Sequence, residues 1–99
     1  MDGYTVQRLG SHTQNGTLSS AVTLTPPSGA DILQIQPLTQ NVRIVFDGST
    51  PDATTGFQLT AGTIYFIDVG QDYSIKLIEE TASASVEYQW GQRKRDNDA

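Results

Sequence analysis

The sequence predicts an all-β chain folded as an antiparallel β-sandwich, jelly-roll-like, with seven to eight short strands. Val, Ile and Thr make up 25 of the 99 residues, and their branched β-carbons favour extended strands. Apolar and polar residues alternate with a period of two, whereas no window keeps the 3.6-residue period of a helix. Nine glycines and four prolines supply the turns between strands.

The strands are predicted from segments of alternating residues that end at turn formers. Residues 18–24 stop at Pro26-Pro27, the next strand stops at Pro37, and the third stops at Asp47-Gly48. No connection is long enough to hold a crossover helix, which favours antiparallel pairing. The seven predicted strands cover residues 18–24, 31–36, 42–46, 56–60, 63–69, 73–77 and 84–90.

The predicted domain organisation is a flexible N-terminal arm at residues 1–16, a β-sandwich at residues 17–91 and a disordered charged tail at residues 92–99. The arm is polar and rich in small residues, although residues 4–9 are also a candidate eighth strand at a sheet edge. The tail holds no apolar side chain longer than alanine and therefore has nothing to bury.

The alternation also divides the apolar residues between two faces. Tyr65, Ile67 and Val69 fall on the predicted outer face of their strand, as do Ile32, Val45 and Ile78 elsewhere. An outer apolar strip favours a buried contact with another subunit. The candidate oligomer or capsid contact is therefore the strip formed by Tyr65, Ile67 and Val69. We expect self-association, with a homotrimer as first choice and a dimer as second. The predicted inward residues are Val22, Leu24, Leu33, Ile35, Val42, Ile44, Phe46, Phe57, Leu59, Ile64, Phe66, Ile75, Leu77, Val86 and Tyr88.

No group of residues indicates a catalytic, cofactor-binding or metal site, so we expect a protein that is not an enzyme. The chain has no cysteine and one histidine, His12, which excludes a zinc centre built on several imidazoles or thiolates. Four aspartates near strand ends, Asp47, Asp52, Asp68 and Asp72, are better explained by turn formation than by calcium binding. His12 with Ser11 and Asp2 lies in a polar segment too flexible for a nucleophilic triad. The adjacent Glu79 and Glu80 point to opposite faces of a strand.

The charge distribution bears on partners and location. The net charge is −5, and half of the six basic residues lie in the cluster Arg93-Lys94-Arg95, so the acidic body would repel nucleic acid. The longest apolar run, residues 64–67, is far shorter than a membrane span, and the N-terminus lacks the pattern of a signal peptide. We therefore expect neither nucleic-acid, membrane nor small-molecule partners.

Five short motifs resemble those of a family of small virion proteins of tailed bacteriophages. They are LTPPSGA at 24–30, LQIQ at 33–36, VRI at 42–44, DGSTPDATTGFQL at 47–59 and SASVEY at 83–88, which together span about two thirds of the chain. The resemblance implies a β-sandwich on the outside of the phage head, a decoration or cement protein made in the host cytoplasm. It implies the major capsid protein as partner, and no catalytic or cofactor residues are associated with such proteins.

Two alternatives remain open at this point. One is a minor tail or head component of the same virion. The other is a carbohydrate-binding module, because the loop at residues 47–51 also resembles loops of sandwich modules appended to glycoside-processing enzymes. Such a module needs exposed aromatic platforms, for which only Trp90, Tyr4 or Tyr65 are candidates, and Trp90 at the end of a strand is better explained as a core or interface residue.

Overall fold

The computed structural model describes residues 4–70 and 74–95, which form eight β-strands and no helix. None of these residues therefore belongs to a helix long and apolar enough to cross a membrane. The strands are β1 (Tyr4–Asn15), β2 (Val22–Leu24), β3 (Ile32–Pro37), β4 (Val42–Val45), β5 (Phe57–Leu59), β6 (Tyr65–Asp68), β7 (Ile75–Glu79) and β8 (Val86–Arg95).

The strands form two antiparallel four-stranded sheets. Sheet A has the order β1-β8-β3-β6, and sheet B has the order β2-β7-β4-β5. Within them β1 pairs with β8, β2 with β7, β3 with β6 and β4 with β5, so the chain is a nested set of antiparallel pairs. Pairs that alternate between two sheets give the strand order of a jelly roll. The predicted all-β antiparallel sandwich is confirmed.

Turn chemistry ends the strands where the sequence predicts it. Ala30 N donates to Pro27 O at 3.0 Å, and Gly29 takes a φ of 87°, which a residue with a Cβ adopts only under strain. The turn between β5 and β6 is closed by Thr63 N donating to Thr60 O at 3.2 Å, with Gly62 at a φ of 86°. These short turns leave no room for a helix.

The core lies between the two sheets. Leu33 and Ile35 of β3, Ile44 of β4 and Leu77 of β7 are completely buried. The main cluster also includes Leu18, Leu24, Ala30, Val42, Leu59, Ile75, Ala84, Val86 and Trp90. Burying one such side chain stabilises the fold by about 1.5–3 kcal/mol, so the apolar contact between sheets is the principal stabilising force.

The prediction of which residues of β6 face inward is wrong. The register pairs Tyr65 with Ile35 and Ile67 with Leu33, so both lie on the core side with their buried partners. Tyr65, Ile67 and Val69 pack against the core, whereas Ile64 and Phe66 are exposed. Every residue from 64 to 67 is apolar, so the pattern within the strand does not distinguish its faces.

Three further residues differ from the predicted burial. Phe57 opposes Ile44 and so lies on the core side, yet it is 70% exposed because β5 is a three-residue strand at the edge of its sheet. Ile32 and Val45, predicted to be outward and exposed, are buried. Ile32 lies opposite Gly91, which has no side chain to hold neighbouring groups away from it.

The predicted flexible arm and disordered tail are wrong wherever the structure describes them. Residues 4–15 form β1, and residues 92–95 continue β8. Residues 1–3 and 96–99 lie outside the described part. The predicted strand start at Tyr73 also lies outside it. The register joins residues 4–7 of β1 to residues 92–95 of β8, beyond the end of β3. We call this two-stranded extension the terminal ribbon. Backbone hydrogen bonds build it, and these need no apolar pattern.

Candidate functional site

The outer face of sheet A presents side-chain amides in register. Gln34 and Gln36 alternate with the buried residues of β3, and Glu87 and Gln89 alternate with those of β8. Gln34 lies opposite Gln89 on one side and Phe66 on the other, and Gln36 lies opposite Glu87. The two central strands of the sheet thus carry a cluster of hydrogen-bonding side chains that the core does not use.

An irregularity in β1 forms one wall beside these amides. The register between β1 and β8 shifts between Leu9 and Thr13, and Gly10 has a φ of 73°. Gln89 Nε2 donates to Gly10 O at 3.0 Å, and His12 Nε2 lies 2.6 Å from Glu87 Oε1. These contacts hold the bulge over β8 and bring residues 75 positions apart together.

The bulge and the sheet border a half-open cavity of about 220 Å³, which we call the sheet-A groove. Gln36 Nε2 donates to Gly62 O at 3.2 Å, so the groove is also tied to the turn before β6. Arg8 and Glu87 give the lining one positive and one negative side chain. The groove is lined by Arg8, His12, Gln34, Ile35, Gln36, Ile64, Glu87, Tyr88 and Gln89.

Three large apolar side chains are also exposed. Phe57, Ile64 and Phe66 are 70%, 51% and 59% exposed, and they belong to β5, to β6 and to the five-residue connection between them. We call Phe57 and Phe66 the apolar edge, because β5 and β6, which carry them, are the outermost strands of the two sheets. The ring centroid of Phe57 lies 6.2 Å from that of Phe46, and both line a shallow groove of about 470 Å³.

The predicted contact residues Tyr65, Ile67 and Val69 do not reach this surface. They pack on the core, and the Tyr65 hydroxyl accepts a hydrogen bond from Thr60 N at 2.8 Å, which lowers the pKa of the phenol by favouring its ionised form. The apolar strip proposed for an oligomer or capsid contact is therefore internal, and the exposed apolar side chains of this strand are its alternate residues.

The aromatic platforms considered for sugar binding are also unsuitable where they are described. Trp90 is 7% exposed and belongs to the core cluster, as expected for the end of the last strand. It packs edge-to-face with Tyr88 at 6.3 Å and 81°. Tyr65 is half-buried with its hydroxyl engaged, and the side chain of Tyr4 lies outside the described part. Phe66 is an exposed ring that lies opposite Gln34 in the register, but it does not line the sheet-A groove.

Two of the four aspartates, Asp47 and Asp52, act as the turn interpretation predicts. Asp47 Oδ1 accepts from Ser49 N at 3.0 Å and from its hydroxyl at 2.6 Å, while Asp52 Oδ1 accepts from Thr54 N at 2.8 Å and from its hydroxyl at 3.0 Å. These bonds stabilise the ionised carboxylates and lower the pKa of both. Asp68 pairs with Arg93, and Asp72 is not described. Residues 4–70 and 74–95 contain no group of three acidic or histidine side chains able to hold a metal ion.

Glu79, the last residue of β7, and Glu80, which follows the strand, have different partners. Glu79 Oε1 accepts from Ala84 N at 3.4 Å. Glu80 Oε2 accepts from Gln58 Nε2 at 2.8 Å and from Arg43 Nε at 2.7 Å. The Gln58 hydrogen bond and then the Arg43 guanidinium lower the pKa of Glu80. Since Arg43 Nη1 also donates to Gly56 O at 3.1 Å, this network holds the start of β5 in place.

Sequence reasoning did not find the sheet-A groove. Its signal was the alternation of Gln34, Gln36 and Gln89 with buried positions, which a solvated sheet face also shows. The contribution of His12 depended on the bulge in β1, which the sequence did not predict. Comparison with protein-family models, with curated proteins and with solved structures finds no match to this chain.

Proposed function

We propose that this protein is a non-enzymatic structural protein of a tailed-bacteriophage virion. It is a capsid decoration or cement protein that binds the outer capsid surface and stabilises the joints between subunits. The motif resemblance supports this proposal, and so does the jelly-roll strand order, an architecture that recurs in viral capsid proteins. Its partner is the major capsid protein, and its location is the capsid surface after synthesis in the host cytoplasm.

The observation that carries the proposal is the apolar edge. Exposed, unpaired edge strands with large apolar side chains are a hazard that soluble proteins normally suppress with charges or coverings. Here Phe57 and Phe66 lie on the outermost strands of the two sheets, and each is more than half exposed. A surface of this kind favours burial against another protein, and a cement protein acts by adding such contact area at subunit joints.

The apolar edge also replaces the internal strip as the surface for self-association. A homotrimer remains the first choice and a dimer the second, because closed symmetric assemblies hide an apolar surface against a copy of the same chain. Contact with the capsid and contact between copies then share one region of the molecule, at β5 and β6.

The test is the copy number of the protein in purified virions of the phage that encodes it, measured by peptide mass spectrometry against the major capsid protein. We expect hundreds of copies per particle. A handful of copies would instead indicate a tail or vertex component, and absence from the particle would refute the proposal.

A binding assay on heads that lack the protein locates the contact. Phe66→Asp is expected to reduce capsid binding, whereas Gln14→Asp, at an exposed position of β1 away from the apolar edge, leaves it unchanged. Equal binding by both variants would remove the apolar edge from the proposal.

A further inference from the structure

The sheet-A groove differs in chemistry from the apolar edge. It lies over β8 and β3, the two central strands of sheet A, whose backbone groups are already paired on both sides. A peptide strand therefore cannot add to the sheet there, because strand addition requires an unpaired edge. Whatever binds in the groove is recognised by side chains.

Two of the three groove amides are held in one orientation. Gln36 Nε2 donates to the carbonyl of Gly62, and Gln89 Nε2 donates to the carbonyl of Gly10. These bonds direct each amide nitrogen toward the protein, so the oxygen Oε1 of each amide remains as an acceptor. Gln34 lies between them on the groove floor and makes no side-chain hydrogen bond to any residue in the described part. The floor thus offers fixed acceptors beside an amide that can both donate and accept.

The charges of the groove favour an uncharged ligand. Arg8 contributes one positive charge, and Glu87 is opposed by it and hydrogen-bonded by His12. The Glu87 carboxylate would repel an anion, and the Arg8 guanidinium would repel a cation. Hydroxyl groups, by contrast, can donate to Glu87 and accept from Arg8.

The apolar side of the groove supplies the remaining complementarity. Ile64, the residue directly before β6, forms this side of the groove and is 51% exposed. Sugar rings combine polar hydroxyls at the rim with apolar C–H faces, which pack on such side chains. The volume of about 220 Å³ is below the roughly 300 Å³ at which pockets for drug-sized ligands begin, so it suits one sugar residue.

We propose that the sheet-A groove binds a neutral oligosaccharide, with Gln34, Gln36 and Gln89 bonding its hydroxyls and Ile64 packing on one ring face. The source is a neutral polysaccharide of the bacterial host surface, and this choice of source rests on the proposed virion location. A decoration protein with such a groove would hold the phage head weakly to the cell envelope, and many copies per particle would strengthen the attachment.

The experiment uses the full chain and an array of neutral hexose and N-acetylhexosamine oligosaccharides from bacterial surface polysaccharides, with anionic oligosaccharides alongside. We expect binding to neutral members, followed in NMR titrations by shifts in the backbone amides of residues 34, 36, 87 and 89. Gln34→Ala should weaken binding about tenfold, because a sugar hydroxyl loses its partner. The matched control Gln58→Ala, on sheet B, should bind like the wild type.

Three results would overturn the saccharide assignment: no binding at millimolar concentrations, a preference for anionic members, or equal affinity of Gln34→Ala. If no saccharide binds but Gln34→Ala weakens attachment to phage heads, then the groove is a protein contact instead. Binding of a neutral saccharide by a protein that is absent from virions would support the groove and refute only the virion location.

Discussion

The sandwich and the terminal ribbon are held together by different interactions. In the sandwich, residues such as Leu33 and Ile44 are completely buried between two sheets, and apolar burial determines the fold. The terminal ribbon has one sheet layer, and its exposed Lys94 and Gln7 bury little. The ribbon is held by backbone hydrogen bonds between its strands and by polar contacts. Arg93 N donates to Asp31 Oδ1 at 2.9 Å, and the Arg93 side chain forms an ion pair with Asp68. An apolar pattern therefore identifies the sandwich strands but not the ribbon.

The largest expected effect tests the faces of β6 in the sandwich. Ile67→Asp places a charge against the core and should destabilise the protein by about 2–4 kcal/mol. Phe66→Asp, one residue away on the exposed face, should change the free energy of unfolding by less than about 0.5 kcal/mol. Urea denaturation followed by circular dichroism measures both. A folded Ile67→Asp protein beside an unfolded Phe66→Asp protein would reverse the assignment of the two faces.

The next prediction concerns the junction between the two regions. A Cβ at Gly91 would lie 2.5 Å from Val6 Cγ1 and 3.8 Å from Ile32 Cβ, so Gly91→Ala overpacks the base of the ribbon. We expect a loss of about 1–3 kcal/mol in the free energy of unfolding. The double variant Val6→Ala/Gly91→Ala should recover most of it, since it removes the methyl group that clashes. Additive losses in the double variant would show that Val6 is not the obstacle.

A smaller effect follows from removing half of the ribbon. A chain that ends after Gly91 loses the partner of residues 4–7 and the contacts of Arg93 with Asp31 and Asp68. The sandwich should lose about 1 kcal/mol, or roughly 4–8 °C in Tm, because no core residue is removed. Hydrogen exchange should show lost protection confined to the first half of β1. Global unfolding of the truncated chain would mean that the ribbon is required for the sandwich.

The last prediction is a pH effect on a polar anchor within the sandwich. Hydrogen bonds from Gln58 and Arg43 lower the pKa of Glu80 in the folded protein. They therefore stabilise the fold fully at pH values above the ordinary glutamate pKa of about 4.3. This stabilisation is lost as the pH falls through the lower folded-state pKa. Thermal unfolding from pH 7 to pH 2 should therefore show a smaller loss of stability for Glu80→Gln than for the wild type. Parallel curves would exclude Glu80 as a contributor, since Asp47 and Asp52 are unchanged in both proteins.

The candidate surfaces show why site prediction succeeded less well than fold prediction. Asp47 and Asp52 bond to residues two positions ahead, so their turn roles were predictable from local sequence. The groove instead joins His12 to Glu87 across 75 positions, through a bulge that interrupts the ladder. Nothing local to either residue indicates that contact.

By itself the sequence determined the class of fold, because β-branched residues, alternation and closely spaced turn formers each act over a few residues. It determined the ends of several strands as well, at Pro37 and near Pro26-Pro27. The tertiary structure decided which face of β6 is buried, since only the register with β3 distinguishes Ile67 from Phe66 in an entirely apolar segment. It also decided that the polar residues 4–7 and 92–95 are strands, because each segment supplies the backbone partners that the other lacks.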